Sequence, residues 1–180
     1  MGQSDNQHGR VQPVGVQGFG PEAQHGGGTK TGLRKVSRPI EPSLPLYLTL
    51  RSSRARGKWS LQREPTEARI REILDALAQR HGVRVLASSI GRDQIHLLVR
   101  ARSREGFQAF LRAFAGLTAR LVTGAKKGKP SGRFWDALTF SRVLAWGKEF
   151  DAVRASFENG DVASLAPVSS TRRRLPTKVT

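Results

Sequence analysis

VRVLASSIGRDQIHLLVRA, residues 83–101, reads as two strands folded about a turn. Val83, Val85 and Ala87 alternate with their neighbours, and Ile95, Leu97 and Val99 alternate again after Gly91-Arg92-Asp93. Period-two alternation sends successive side chains to opposite faces of a strand, and Gly-Arg-Asp suits the tight turn between them. Upstream, Pro65 suits a helix first turn, Ile70, Ile73, Leu74 and Leu77 fall at helical spacing, and His81-Gly82 stops the helix. Further back, Leu46, Leu48 and Leu50 alternate with Tyr47, Thr49 and Arg51 as another strand, followed by a basic loop from Arg54 to Arg63 that holds Trp59. Downstream, Ser103 to Thr123 predicts a long helix whose apolar stripe is Phe107, Phe110, Leu111, Phe114, Leu117 and Leu121. A basic loop at 124–132, a strand at 137–144 and a helix from Trp146 to Asn159 carrying Phe150, Val153 and Phe157 complete the pattern.

The order βαββαβα predicts an α+β fold, a ferredoxin-like antiparallel sheet with helices packed on it. Residues 1–43 hold Gly26-Gly27-Gly28, scattered Gln and Pro and no apolar periodicity, and so are expected to be a disordered arm. The domain is expected over 44–164, with a disordered basic tail over 165–180 containing Arg172, Arg173 and Arg174. Alternation gives the sheet two unlike faces. One is apolar and buries against helices. The other presents Tyr47, Arg51, Gln94, His96 and Arg100, a surface suited to a single-stranded or hairpin nucleic acid.

Charge points to the same class of partner. The chain of 180 residues has 31 Lys+Arg against 14 Asp+Glu, a formal net charge of +17. Most of that excess lies within 45–164, so it belongs to the folded region, and an excess of this size argues for a polyanionic partner. The absence of cysteine excludes disulfides, thiolate metal sites and cysteine nucleophiles. No apolar run approaches the length of a membrane span, and the first residues lack the apolar core of a signal peptide, so a cytoplasmic protein without a membrane partner is expected. Phosphate contacts are expected from Arg51, Arg54, Arg56, Lys58, Arg100, Lys126, Lys127, Lys129 and Arg133, with Tyr47 and Trp59 as stacking aromatics.

The 83–101 segment resembles the core of the single-tyrosine HUH transposases, the insertion-sequence-200-like and REP-associated group, whose pattern there is Asn, then His-hydrophobic-His-Leu. RHGVRV at 80–85, the long helix and GRFWDALTFSRVL at 132–144 fit the same family, so the resemblance spans about 44–162. It implies a particular chemistry. Two His at i and i+2 on a strand share a face and hold one divalent cation, which polarises the scissile phosphate. A tyrosine on the last helix attacks that phosphate and forms a phosphotyrosine link, and a polar residue at i+4 completes the metal shell.

At the decisive positions this sequence departs from the family. His-x-His is replaced by Gln94-Ile95-His96, Asn by Asp93, and the tyrosine by Ala155, with Asn159 at i+4. Tyr47 is the single tyrosine of the chain and lies outside the last helix. The resemblance therefore implies a DNA-binding protein of transposase ancestry, acting on hairpin or single-stranded DNA without cleaving it, as a monomer or homodimer. Gln94, His96 and Asn159 would be the remains of a Mg²⁺ or Mn²⁺ site. Three alternatives stay open: an active transposase using Tyr47 as an unorthodox nucleophile, a ferredoxin-like RNA-binding module, and a protein-interaction module.

Overall fold

A computed structural model describes residues 24–27, 38–126, 128–129 and 131–165. Five strands and three helices follow one another as β1 (Gln24–His25), β2 (Leu46–Arg51), α1 (Thr66–Arg80), β3 (Val83–Ile90), β4 (Gln94–Ala101), α2 (Arg104–Thr123), β5 (Phe140–Val143) and α3 (Lys148–Glu158). The sheet order is β1-β5-β2-β4-β3, every pair antiparallel. The α+β, ferredoxin-like expectation is met, with an added edge strand.

On one face, Leu46, Leu48 and Leu50 of β2 and Ile95, Leu97 and Val99 of β4 meet Ile70 and Leu74 of α1 and Phe107, Phe110 and Phe114 of α2. Ser103 caps α2 by accepting from the Gly106 N–H at 3.0 Å, and Gly124 ends it in the left-handed conformation at φ 68°. The α2 stripe departs from expectation in its last turns. Leu117 is 40% exposed, while Thr118 and Val122 point inward. At about 100° per residue, steps of four from Phe114 keep the helix facing the core, whereas a step of three to Leu117 rotates away from it.

The 83–90 strand also departs from simple alternation. Val85 pairs with Val99 but Ala87 pairs with Leu98, so Leu86 is an extra residue in the ladder. This bulge moves Ala87 off the face of Val83 and Val85 and onto the opposite one, where it packs with Leu86 and Leu98.

Two boundaries are corrected. Part of the expected disordered arm is built into the sheet: Gln24 pairs with Arg142 and His25 with Ser141. Further along the same arm, Ile40 is buried in the core, Arg38 donates to Ser141 Oγ and to the Thr139 carbonyl, and Arg104 donates to the Arg38 carbonyl. The strand expected over 137–144 is only Phe140–Val143. The Leu138 carbonyl accepts from Gly27 N–H at 2.9 Å and its side chain is 69% exposed. The expected tail from 166 onward lies outside the described residues.

Phe110 is fully buried and stacks on Phe114 at 5.8 Å between ring centroids. Truncation there removes a large apolar side chain and leaves a cavity. Phe110→Ala is expected to lower unfolding stability by about 3–5 kcal/mol, read from urea denaturation followed by circular dichroism.

Candidate nucleic-acid interface

The basic loop after β2 is held by polar ties, one of them buried, as well as by apolar packing. Ser52 Oγ donates to the Phe134 carbonyl at 2.6 Å, and the Ser53 N–H and hydroxyl both donate to the Asp136 carboxylate. Ala55 and Leu61 sit in the core, and Leu61 N–H donates to the Arg92 carbonyl at 3.0 Å. Between those anchors the chain makes a 3-10 turn at Gly57–Trp59, with Gly57 at φ 55°.

These ties sort the expected phosphate contacts. Arg54 donates to the carbonyls of Arg133 and Ser131 at 2.6 and 2.9 Å, and its guanidinium lies 4.9 Å over the Trp59 ring. It is thus a clamp joining the two basic segments. Trp59, half-buried against the core with Arg54 over its ring, is no free stacking platform. Arg51 is exposed but lies 3.8 Å from the Asp93 carboxylate. Arg56 and Lys58 remain exposed on the turn. They are joined by a cation that alternation did not single out: Arg92, on the tip of the β3–β4 turn, lines a cavity of about 750 Å³ together with Arg56, Gly57, Ser60 and the acidic Asp93. Its signal was a basic residue in the turn next to the end of β2. Arg133 is exposed beside the Arg54 clamp, its Nε donating to the Trp135 carbonyl. Lys126 and Lys129 are exposed and bridge to each other through the backbone. Lys127 lies outside the described residues. Arg100 is exposed at the far end of β4, away from this loop.

The polar sheet face is not open. Helix α3 lays Val153, Phe150 and Phe157 on it, over Tyr47, Leu98 and Phe140. The chain leaves β5 and turns back along the sheet, and Arg142 on β5 lies 3.7 Å from the Glu149 carboxylate in the first turn of the helix. Tyr47 is 0% and His96 1% exposed, so neither forms the nucleic-acid surface expected of this face. Under the helix they pair: Tyr47 OH lies 2.7 Å from His96 Nδ1, and Thr49 Oγ1 donates to the same hydroxyl at 2.9 Å. Burial pushes the Tyr47 hydroxyl up to about 12 and the His96 imidazole down to about 4, so both are neutral over the physiological range.

The residues implied as metal ligands do not converge. Gln94 and His96 share a face of β4, but His96 Nδ1 is taken by Tyr47, and its Nε2 is buried without a hydrogen-bond partner among the described residues. Ala155 and Asn159 are exposed. Each stands two residues, about 200°, beyond an inward side chain, Val153 or Phe157, so both sit on the side of α3 turned away from the sheet. A tyrosine at 155 would point away from His96 of its own chain, and Asn159 cannot reach it. Among the described residues, no group of three or more His, Cys, Asp or Glu could hold a metal ion. Gln94, His96 and Asn159 therefore do not fit a cation site in this arrangement. No helix among the described residues is long and apolar enough to cross a membrane.

Residues 52–145 match the family model described as Transposase IS200 like. No curated protein matches the chain. Among solved structures, a protein assigned as a transposase, from Deinococcus radiodurans R1, is similar at 18% identity over 73% of this chain and 97% of its own, with a TM-score of 0.42. A REP-associated tyrosine transposase bound to a REP hairpin is similar at 11% identity over 73% of this chain and 74% of its own, with a TM-score of 0.49.

The buried pair links proton binding to folding. Between pH 6.5 and about 4 the unfolded chain protonates His96 while the folded chain does not, so stability is complete above pH 6.5 and falls as pH drops toward 4. Between pH 10 and about 12 the unfolded chain ionises Tyr47 first, so stability falls as pH rises. The acid limb is expected to be on the order of 3 kcal/mol. Urea midpoints measured at pH 7 and pH 4 should therefore differ less in His96→Phe than in the wild type; equal differences would remove the histidine from the acid limb.

Proposed function

The chain belongs to the IS200-like transposase family, and we propose that it binds hairpin or single-stranded DNA through the basic loops of its 44–164 domain without cleaving it. Strand cleavage of the kind the family resemblance implies needs a phenol that can reach a phosphate. The observation that carries the non-cleaving reading is the place of the single tyrosine: Tyr47 is enclosed between the sheet and α3, its hydroxyl held by Thr49 and His96. Binding makes different demands. It requires exposed cations on a rigid support: Arg56 and Arg92 line one cavity, Lys58 is exposed on the same turn as Arg56, and Arg133 is exposed on the segment that Arg54 clamps. Mg²⁺ or Mn²⁺ then has no step to serve, because His96 is buried against Tyr47 and Asn159 lies on the exposed side of α3.

One observation favours a second reading. A hydroxyl 2.7 Å from an imidazole nitrogen is a nucleophile–base geometry, so displacement of α3 would uncover a Tyr47–His96 pair able to attack a phosphate.

Incubating the protein with end-labelled hairpin DNA and Mg²⁺ or Mn²⁺, and running native and denaturing gels in parallel, separates the two. A retarded native band with intact, protein-free DNA on the denaturing gel is expected. A covalent adduct would overturn the non-cleaving reading, and its loss in Tyr47→Phe would assign the attack to that phenol. Unlabelled structured RNA that competes better than the DNA hairpin would reassign the partner, since A-form shape and 2′-hydroxyls are read differently.

A further inference from the structure

At the end of the sheet away from the basic loop, three arginines share one face without partners. Arg84 and Arg100 are directly opposite each other in the β3–β4 ladder. The next pair on the same face is Gly82 and Arg102, whose N–H donates to the Gly82 carbonyl at 3.1 Å. Like charges directly opposite on adjacent strands destabilise a sheet. Nothing among the described residues relieves this: Arg84, Arg100 and Arg102 are exposed, and none has a side-chain hydrogen bond or ion pair there.

All three line an open cleft of about 880 Å³ with no carboxylate in its walls. The nearby Glu41 accepts from the Ser43 hydroxyl at 3.1 Å. The cleft is built on firm elements. Gly82, at φ 64° in the left-handed region that favours glycine, lies against the Arg102 stem. Ser43, which also lines the cleft, is tied by its carbonyl to the Trp146 indole N–H at 3.0 Å. Arginine forks matched to a cleft free of acid are suited to phosphate oxygens.

We propose that the Arg84–Arg100–Arg102 cleft is a second phosphate-binding site, which takes the sugar-phosphate backbone of the same nucleic acid at a distance from the basic loop. This rests on the DNA-binding reading above. Arg92 lies in the turn before β4 and Arg100 near its far end; Gln94 to Arg100 alone spans about 20 Å at about 3.4 Å per residue. A DNA bound at both places is read over more than one contact patch, and each patch adds its own counterion release.

The test uses the full chain and a fluorescent single-stranded 20-mer in an anisotropy titration over a salt series. The cleft variant Arg84→Gln/Arg100→Gln/Arg102→Gln is compared with the loop variant Arg56→Gln/Lys58→Gln/Arg92→Gln and the wild type. Melting curves check that both variants fold. The cleft variant is expected to bind about tenfold or more weakly at low salt, with a log–log salt slope shallower by about 2, three phosphate contacts at roughly 0.7 each. Wild-type affinity and slope in the cleft variant, with binding weakened in the loop variant, overturn the second site and leave the DNA-binding reading standing. A wild type that binds no DNA overturns that reading, and the proposal falls with it. Capture of the wild type by phosphatidylserine vesicles, lost in the cleft variant and unaccompanied by DNA binding, would transfer the cleft to lipid headgroups.

Discussion

Strand β2 lies at the centre of the sheet, and five of its six residues are buried, on both faces. Helices α1 and α2 cover the leucine face, and α3 covers the other. On that second face β2 and β4 present a tyrosine, a threonine and a histidine to an apolar helix. An unpartnered hydroxyl there would cost about 1–3 kcal/mol; the two hydroxyls and His96 Nδ1 are joined instead, and His96 Nε2 is left buried without a partner among the described residues. The position of α3, the neutrality of Tyr47 and His96, and the closure of the sheet face all follow from the burial of this strand.

In the DNA-binding reading proposed above, contact is thereby left to the rim. A sheet face covered by its own helix leaves the strand ends and the turns between them to meet a ligand. Both ends of β4 carry exposed arginines, Arg92 at one and Arg100 with Arg102 at the other, whereas the middle of the strand is sealed. The chain has the fold of the IS200-like transposase family, and its single tyrosine lies in the core.

Patterns of short range were legible in the sequence. Alternation located β2, β3 and β4, helical spacing located α1 and α2, and the density of Arg and Lys marked the loop after β2. What was missed depends on contacts distant in the chain. Gln24 and His25 have no apolar pattern of their own and become a strand only because β5, more than a hundred residues away, offers an edge. The cover over Tyr47 was hidden because Tyr, Thr and His read as a wet face until a helix is known to lie on it. Arg54 resembled a phosphate ligand by composition, yet its guanidinium is spent on carbonyls some eighty residues on. The Arg84–Arg100 juxtaposition depends on strand register, which alternation leaves open.

The two margins of the sheet have a further consequence. One margin ends in the two-residue β1, which occupies Ser141 and Arg142 of β5. The other is β3, whose ladder is interrupted at Leu86. A long, flat, unpaired margin is a template on which a second chain can stack. Here one margin is capped by the chain's own upstream segment and the other is bent out of line, so the sheet is protected from growing into a filament at the concentrations a polyanion would gather around so basic a protein.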